Sequence, residues 1–92
     1  MNKILHNKLT IYEIDTFSKE LNDYISTAED VLDIDFSGVN KIDLSAIQLL
    51  LSASKSCFKK DVILKLHGLN NENIESLRIC GCDKLLGINN EQ

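Results

Sequence analysis

From Val31 to Phe36 apolar and polar side chains alternate. Leu32, Ile34 and Phe36 fall on one side, Asp33 and Asp35 on the other. That period of two belongs to a half-buried strand. Ser37-Gly38 breaks it, because glycine favours turns. Val39 and Ile42 are apolar residues inside the loop that follows, so the loop is expected to be pinned to the core. The period then changes. Leu44, Ile47, Leu51 and Ser54 recur at helical spacing, and Leu50 and Phe58 widen the stripe. Asp43 stands where a helix N-cap belongs, since its carboxylate can accept an unbonded first-turn N–H. The helix is expected to run to about Phe58, with Lys55, Lys59 and Lys60 at the end where the dipole favours positive charge. The pattern is strand, tight loop, helix. Open α/β sheets usually place their sites at such strand ends.

The flanking segments repeat this alternation. Residues 3–10 predict a first strand, broken near Asn7-Lys8, with a short second piece at Leu9-Thr10. Thr10 and Glu13 have the spacing of a capping box. A helix follows to about Thr27, its stripe formed by Ile14, Phe17, Leu21, Tyr24, Ile25 and Ala28. Glu29-Asp30 turns the chain into the strand already described. Val62, Leu64 and Leu66 alternate with Ile63 and Lys65 in a further strand. Asn70 or Asn71 can cap a last helix with Glu72 and Glu75 in its first turns. Ile74, Leu77 and Ile79 are expected to point inward, and Gly81 to end the helix. Leu85 and Leu86 are expected to dock on the core, and residues 87–92 to form a frayed polar tail.

The order β(β)αβαβα implies right-handed crossovers and a largely parallel core. The second faces of the two best strands carry Asp33, Asp35, Ile63 and Lys65. A sheet covered on both sides would show continuous apolar runs there. The expectation is an α/β fold: a single mixed sheet of about four strands, with three to four helices mainly on one face. Ile34, Phe36, Ile47, Leu51, Leu64 and Leu77 are the expected core.

Ninety-two residues suit one domain spanning 1–92. Net charge is −4 without a basic cluster, which argues against nucleic acid and anionic membranes as partners. No apolar run approaches the roughly 20 residues needed to span a bilayer. The start of the chain lacks a secretory h-region, and three cysteines make no disulfide framework. A cytoplasmic location is the expectation. Cys80-Gly81-Cys82 places two thiols one residue apart, but His6 and His67 add no zinc spacing, so no metal and no cofactor is expected. Cys80 reads as a small core residue and Cys57 as buried or half-buried on the central helix. No catalytic Ser/His/acid arrangement or phosphate-cradling glycine loop appears.

The stretch Asp35-Phe36-Ser37-Gly38-Val39, then Asp43-Leu44-Ser45-Ala46-Ile47, resembles the core of the STAS domain. That family includes anti-sigma-factor antagonists, stressosome proteins and the small subunit of some lipid-transport ABC systems. The resemblance implies a non-catalytic interaction module with one open sheet face. It places Ser45 at the position phosphorylated in switching members. Leu44 stands where a small hydroxyl residue is common, and Ala46 where glycine is common.

The binding surface implied lies around the loop and helix start: Val39, Asn40, Lys41, Asp43, Leu44, Ser45 and Gln48. Asp35 and Asp43 support the loop and cap the helix. The partner implied is a protein: an anti-sigma-type serine kinase or factor, or an ABC ATPase subunit, with a homodimer as a further option. A phosphate on Ser45 would meet free N–H groups at a helix start. One rival reading has a different chemistry. Asp35 and Asp43 at the sheet end could hold Mg²⁺ for phosphoryl transfer, although no lysine is clearly placed at the same end.

Overall fold

The computed structural model describes residues 1–82, so the expectations for Leu85, Leu86 and the tail lie outside the described residues. The elements in order are β1 (Asn2–Lys3), β2 (Lys8–Leu9), α1 (Ile14–Thr27), β3 (Val31–Asp35), β4 (Lys41–Ile42), α2 (Leu44–Lys59), β5 (Ile63–His67) and α3 (Asn71–Ile79). The α/β class and the parallel pairing follow the alternation of strand and helix patterns. The single sheet comes instead as two ladders. One has the order β1-β3-β5, and the other is the two-residue pair β2-β4. Every pairing among these strands is parallel.

Only one face of the three-stranded sheet is buried. Leu32, Ile34, Leu64 and Leu66 lie in the core, while Val31, Ile63 and Lys65 are exposed and Asp33 and His67 half-buried. The open second face is thus as the charges at those positions implied. His67 Nε2 and Asp33 Oδ1 meet there at 2.7 Å. Below the covered face, Phe17 of α1 stands edge-on to Phe36, with ring centroids 6.4 Å apart. Edge-to-face packing suits the quadrupoles of the two rings.

The α2 stripe is displaced from its expected phase. Ala46, Ile47, Leu50, Ala53 and Cys57 are its buried residues. Leu51 is only half-buried, while Leu50 is fully enclosed. Leu44 and Phe58, expected on the stripe, are 61% and 84% exposed. Small residues explain the shift. Ala46 and Ala53 let α2 approach its neighbours closely along a line that a count of large apolar residues does not show. Ile79 is likewise exposed, so the apolar stripe of α3 ends at Leu77.

The helix ends are tied by side chains and glycine. Lys60 Nζ donates to the carbonyls of Ile25, Ser26 and Ala28 at 2.6, 3.3 and 3.4 Å, so the end of α2 caps the end of α1. The Ile25 carbonyl also accepts the Ala28 N–H at 3.3 Å, so Lys60 adds to a helix end that would otherwise be only partly bonded. Gly81, at φ 70, ends α3, and the Cys82 N–H donates to the Leu77 carbonyl at 2.8 Å. This is the left-handed C-cap that glycine permits. The turn brings Cys82 into the core and leaves Cys80 exposed, the reverse of the expectation for Cys80. Burial pushes the Cys57 thiol up from its ordinary pKa, which keeps it protonated and unreactive.

Candidate functional site

The loop between β3 and α2 is held from three sides. At its start the Ser37 N–H donates to Asp35 Oδ1 at 2.9 Å. That bond holds the Asp35 carboxyl below the usual carboxylate range. Gly68 lies directly against this turn at φ 74. A Cβ built there would sit 2.9 Å from both Asp35 Oδ1 and the Ser37 nitrogen. The position needs glycine for its backbone and for its space.

In the middle of the loop, α3 supplies two asparagines. Asn73 is 1% exposed. Its Nδ2 donates to the Val39 carbonyl and its Oδ1 accepts the Ile42 N–H, both at 3.3 Å. Asn70 caps α3 by accepting the Asn73 N–H at 2.7 Å, and its Nδ2 donates to the Asn40 carbonyl at 3.0 Å. The Asn40 N–H in turn donates to the Asn7 carbonyl at 2.6 Å. A buried polar residue that satisfies two backbone groups removes what would otherwise be a desolvation cost for each. Asn73 is absent from the sequence reading. Its signal was available: it lies four residues before Leu77, on the apolar stripe of α3.

At its far end the loop passes into α2 through Asp43. Its Oδ1 accepts the Ala46 N–H at 3.2 Å, the cap bond of the helix. Its Oδ2 accepts the Ile11 N–H at 3.0 Å. Both carboxylate oxygens therefore bind backbone, and one of them ties the loop before α1 to the start of α2. That loop is itself folded by Thr10 and Glu13. The Glu13 carboxylate accepts from the Thr10 N–H at 2.9 Å and from its hydroxyl at 2.7 Å. The bonds from Thr10 hold the Glu13 carboxyl below its ordinary range. The helix opens with Ile14, directly after Glu13, which is its N-cap residue without a side-chain cap bond. Thr10 and Glu13 therefore fold the turn before α1 and do not cap it as the spacing implied.

The residues expected to form a surface divide into two groups. Asn40, Lys41, Leu44 and Gln48 are exposed, and Ser45 is half-buried. Val39 is 2% exposed and anchors the loop from inside. Asp43 is half-buried and occupied by backbone. Ser45 is the second residue of α2, and its N–H is among those a helix leaves unbonded. Two neighbours missing from the sequence reading join this surface. Ile11 is 60% and Tyr12 92% exposed, and the Ile11–Asp43 bond holds them beside the helix start. Among the described residues, no group of three or more His, Cys, Asp and Glu side chains is arranged to hold a metal. Nor is any described helix long and apolar enough to cross a membrane.

The geometry is that of a small α/β domain presenting a braced loop and a helix start. The family model described as "Mlab, STAS domain" matches residues 5–87. The chain belongs to the STAS domain family. Members of that family are in general non-catalytic modules that regulate or interact with other proteins. No curated protein matches the chain.

Proposed function

We propose that this chain binds a protein partner through the start of α2 and the loop before it, and that Ser45 is the modifiable position on that surface. One observation carries the reading. Leu44 and Ser45 stand at the first turn of a helix whose cap, Asp43, is wholly occupied with backbone. These bonds brace the turn, Leu44 is exposed beside it, and Ser45 is half-buried. A rigid surface binds with less loss of conformational entropy than a mobile one.

A phosphate on Ser45 would sit at the positive end of the helix dipole, so the fold would tolerate it. It would add about two negative charges to a surface that a partner must desolvate. Partners of the anti-sigma type, a serine kinase among them, suit such a switch. Leu44 favours a second reading. It puts an exposed apolar side chain where switching members commonly have a small hydroxyl residue. Such a surface suits a constitutive complex, as with the ATPase of a lipid-transport ABC system. Either role is fulfilled in the cytosol.

The Mg²⁺ reading is disfavoured by the same bonds that support the first. Asp43 has both oxygens on N–H groups, and Asp35 has one. The carboxylates act as caps for backbone.

The test is co-purification of partners with wild type, Ser45→Asp and Ser45→Ala, together with mass spectrometry of the native protein. The aspartate variant is expected to lose the partner by about tenfold or more, and the alanine variant to retain it. Both should melt close to wild type. Full recovery of every partner by Ser45→Asp would show that the α2 start is not the binding surface.

A further inference from the structure

Two stretches of chain run side by side up to the α2 start. β2 and β4 pair Lys8 with Lys41 and Leu9 with Ile42. Leu9 and Ile42 enter the core, while Lys8 and Lys41 both face solvent. The alignment continues past the ladder. The Asp43 N–H donates to the Leu9 carbonyl at 3.0 Å, and the Ile11 N–H donates to the Asp43 carboxylate at 3.0 Å. This ties the backbone at Ile11, the residue before Tyr12, to Asp43, the residue before Leu44. The result is one strip: two lysines at one end and three exposed large apolar side chains at the other.

Neither end of the strip is satisfied within the described residues. Like charges directly opposite on paired strands repel, and neither Lys8 nor Lys41 makes an ion pair there. The nearby carboxylates are engaged. Glu13 accepts two bonds from Thr10, with Lys8 only a lesser attraction on its carboxyl, and Asp43 accepts from Ile11 and Ala46. The chain as a whole is acidic, at −4. Two adjacent unpaired lysines are therefore a local feature of this strip and do not follow from its composition. Exposed apolar side chains grouped at one place mark contact surfaces.

We propose that the strip Lys8, Lys41, Ile11, Tyr12 and Leu44 is a docking surface for a protein segment that carries carboxylates beside apolar side chains. The proposal rests on the reading that the α2 start is the binding surface, and it adds the chemistry of the partner. Carboxylates of the partner meet Lys8 and Lys41, and its apolar side chains cover Ile11, Tyr12 and Leu44. Charge complementarity of this kind sets partner choice and association rate. Two lysines on an acidic chain fall short of the basic cluster that holds a protein to an anionic membrane.

The probe is a short amphipathic helical peptide of Glu and Leu. One control replaces its Glu by Lys, and another replaces its Leu by Ser. Each is titrated into the isotope-labelled full chain, and the backbone amide shifts are followed. The Glu/Leu peptide is expected to move the amides of Lys8, Ile11, Lys41 and Leu44, and both controls to bind more weakly. Lys8→Glu combined with Lys41→Glu should weaken the Glu/Leu peptide by about tenfold or more while leaving the melting temperature near wild type. Added salt should weaken wild-type binding, since the charges are exposed.

Equal binding of the Lys peptide, or no shift with the Glu/Leu peptide, overturns the proposal. Shifts at Leu44, Ser45 and Gln48 that the double variant leaves unchanged would retain the α2 start as the surface and remove the acidic partner. Shifts confined to another face would remove both. Sedimentation of the chain with phosphatidylglycerol vesicles, lost in the double variant and without peptide binding, would replace the protein segment by a lipid surface.

Discussion

Helices α2 and α3 both begin at an extended residue whose side chain accepts a first-turn N–H, Asp43 from Ala46 and Asn70 from Asn73. Each follows a loop at the end of a parallel strand, yet their outward contacts differ. The α3 start turns its asparagines onto the neighbouring loop, with Asn73 buried and Asn70 donating to the Asn40 carbonyl. The α2 start turns its carboxylate to backbone and leaves Leu44 exposed. One helix start is a brace, and the other is the surface it braces. The difference comes from the second hydrogen-bonding group of each capping side chain. An amide can accept at its own helix and donate to a neighbour; a carboxylate can only accept. Asn70 therefore reaches a loop carbonyl, whereas Asp43 gathers N–H groups from two segments.

The largest effect that follows is at Asn73. Asn73→Ala leaves the Val39 carbonyl and the Ile42 N–H buried without partners, at about 1–3 kcal/mol each. Chemical denaturation should show a loss of about 2–5 kcal/mol. An unchanged midpoint would mean that the loop does not depend on α3. Asp43→Ala should cost less, about 1–2 kcal/mol, since it removes one cap bond and one exposed bond to Ile11. If it cost more than Asn73→Ala, the assignment of brace and surface would be reversed. Asn70→Asp should have the smallest effect on stability. The carboxylate still caps α3 and suits its dipole, but it cannot donate to Asn40. Faster amide exchange at Asn40, Lys41 and Ile42, with a melting temperature near wild type, is the expected outcome. Unchanged exchange would show that the Asn70–Asn40 bond does not hold the loop.

The parts of this molecule legible in the sequence are those fixed by local periodicity and by short capping motifs. The alternation from Val31 to Phe36, the Thr10–Glu13 turn, the caps Asp43 and Asn70, and Gly81 all act within a few residues of themselves. The helix stripe of α2 was read one position off, because Ala46 and Ala53 carry the close packing while Leu44 and Phe58 look more hydrophobic. Contacts between distant segments were not legible. Lys8 meets Lys41 only through a ladder of two residue pairs, too short to leave a period. Asn73 shows in the sequence only as a polar residue on the apolar stripe of α3, because the loop groups it holds lie far away along the chain. The surface expected around Ser45 therefore lacked Ile11 and Tyr12, which reach it through a single bond to Asp43.

The parallel ladders have a consequence for how the chain acquires its shape. Asn2 aligns with Ile34, Val31 with Ile63 and Lys8 with Lys41. A parallel crossover requires a dozen or more intervening residues, and each of these spans roughly thirty. The strands among the described residues therefore form no hairpin that could close early. Helices α1 and α2 can form from local sequence, but no strand gains its partner until a long loop has closed. The expected search is slow for a chain of this size, since distant pairings delay the rate-limiting step. During synthesis β1 and β2 leave the ribosome with nothing to pair with. They wait, unpaired, until β3 and β4 have followed.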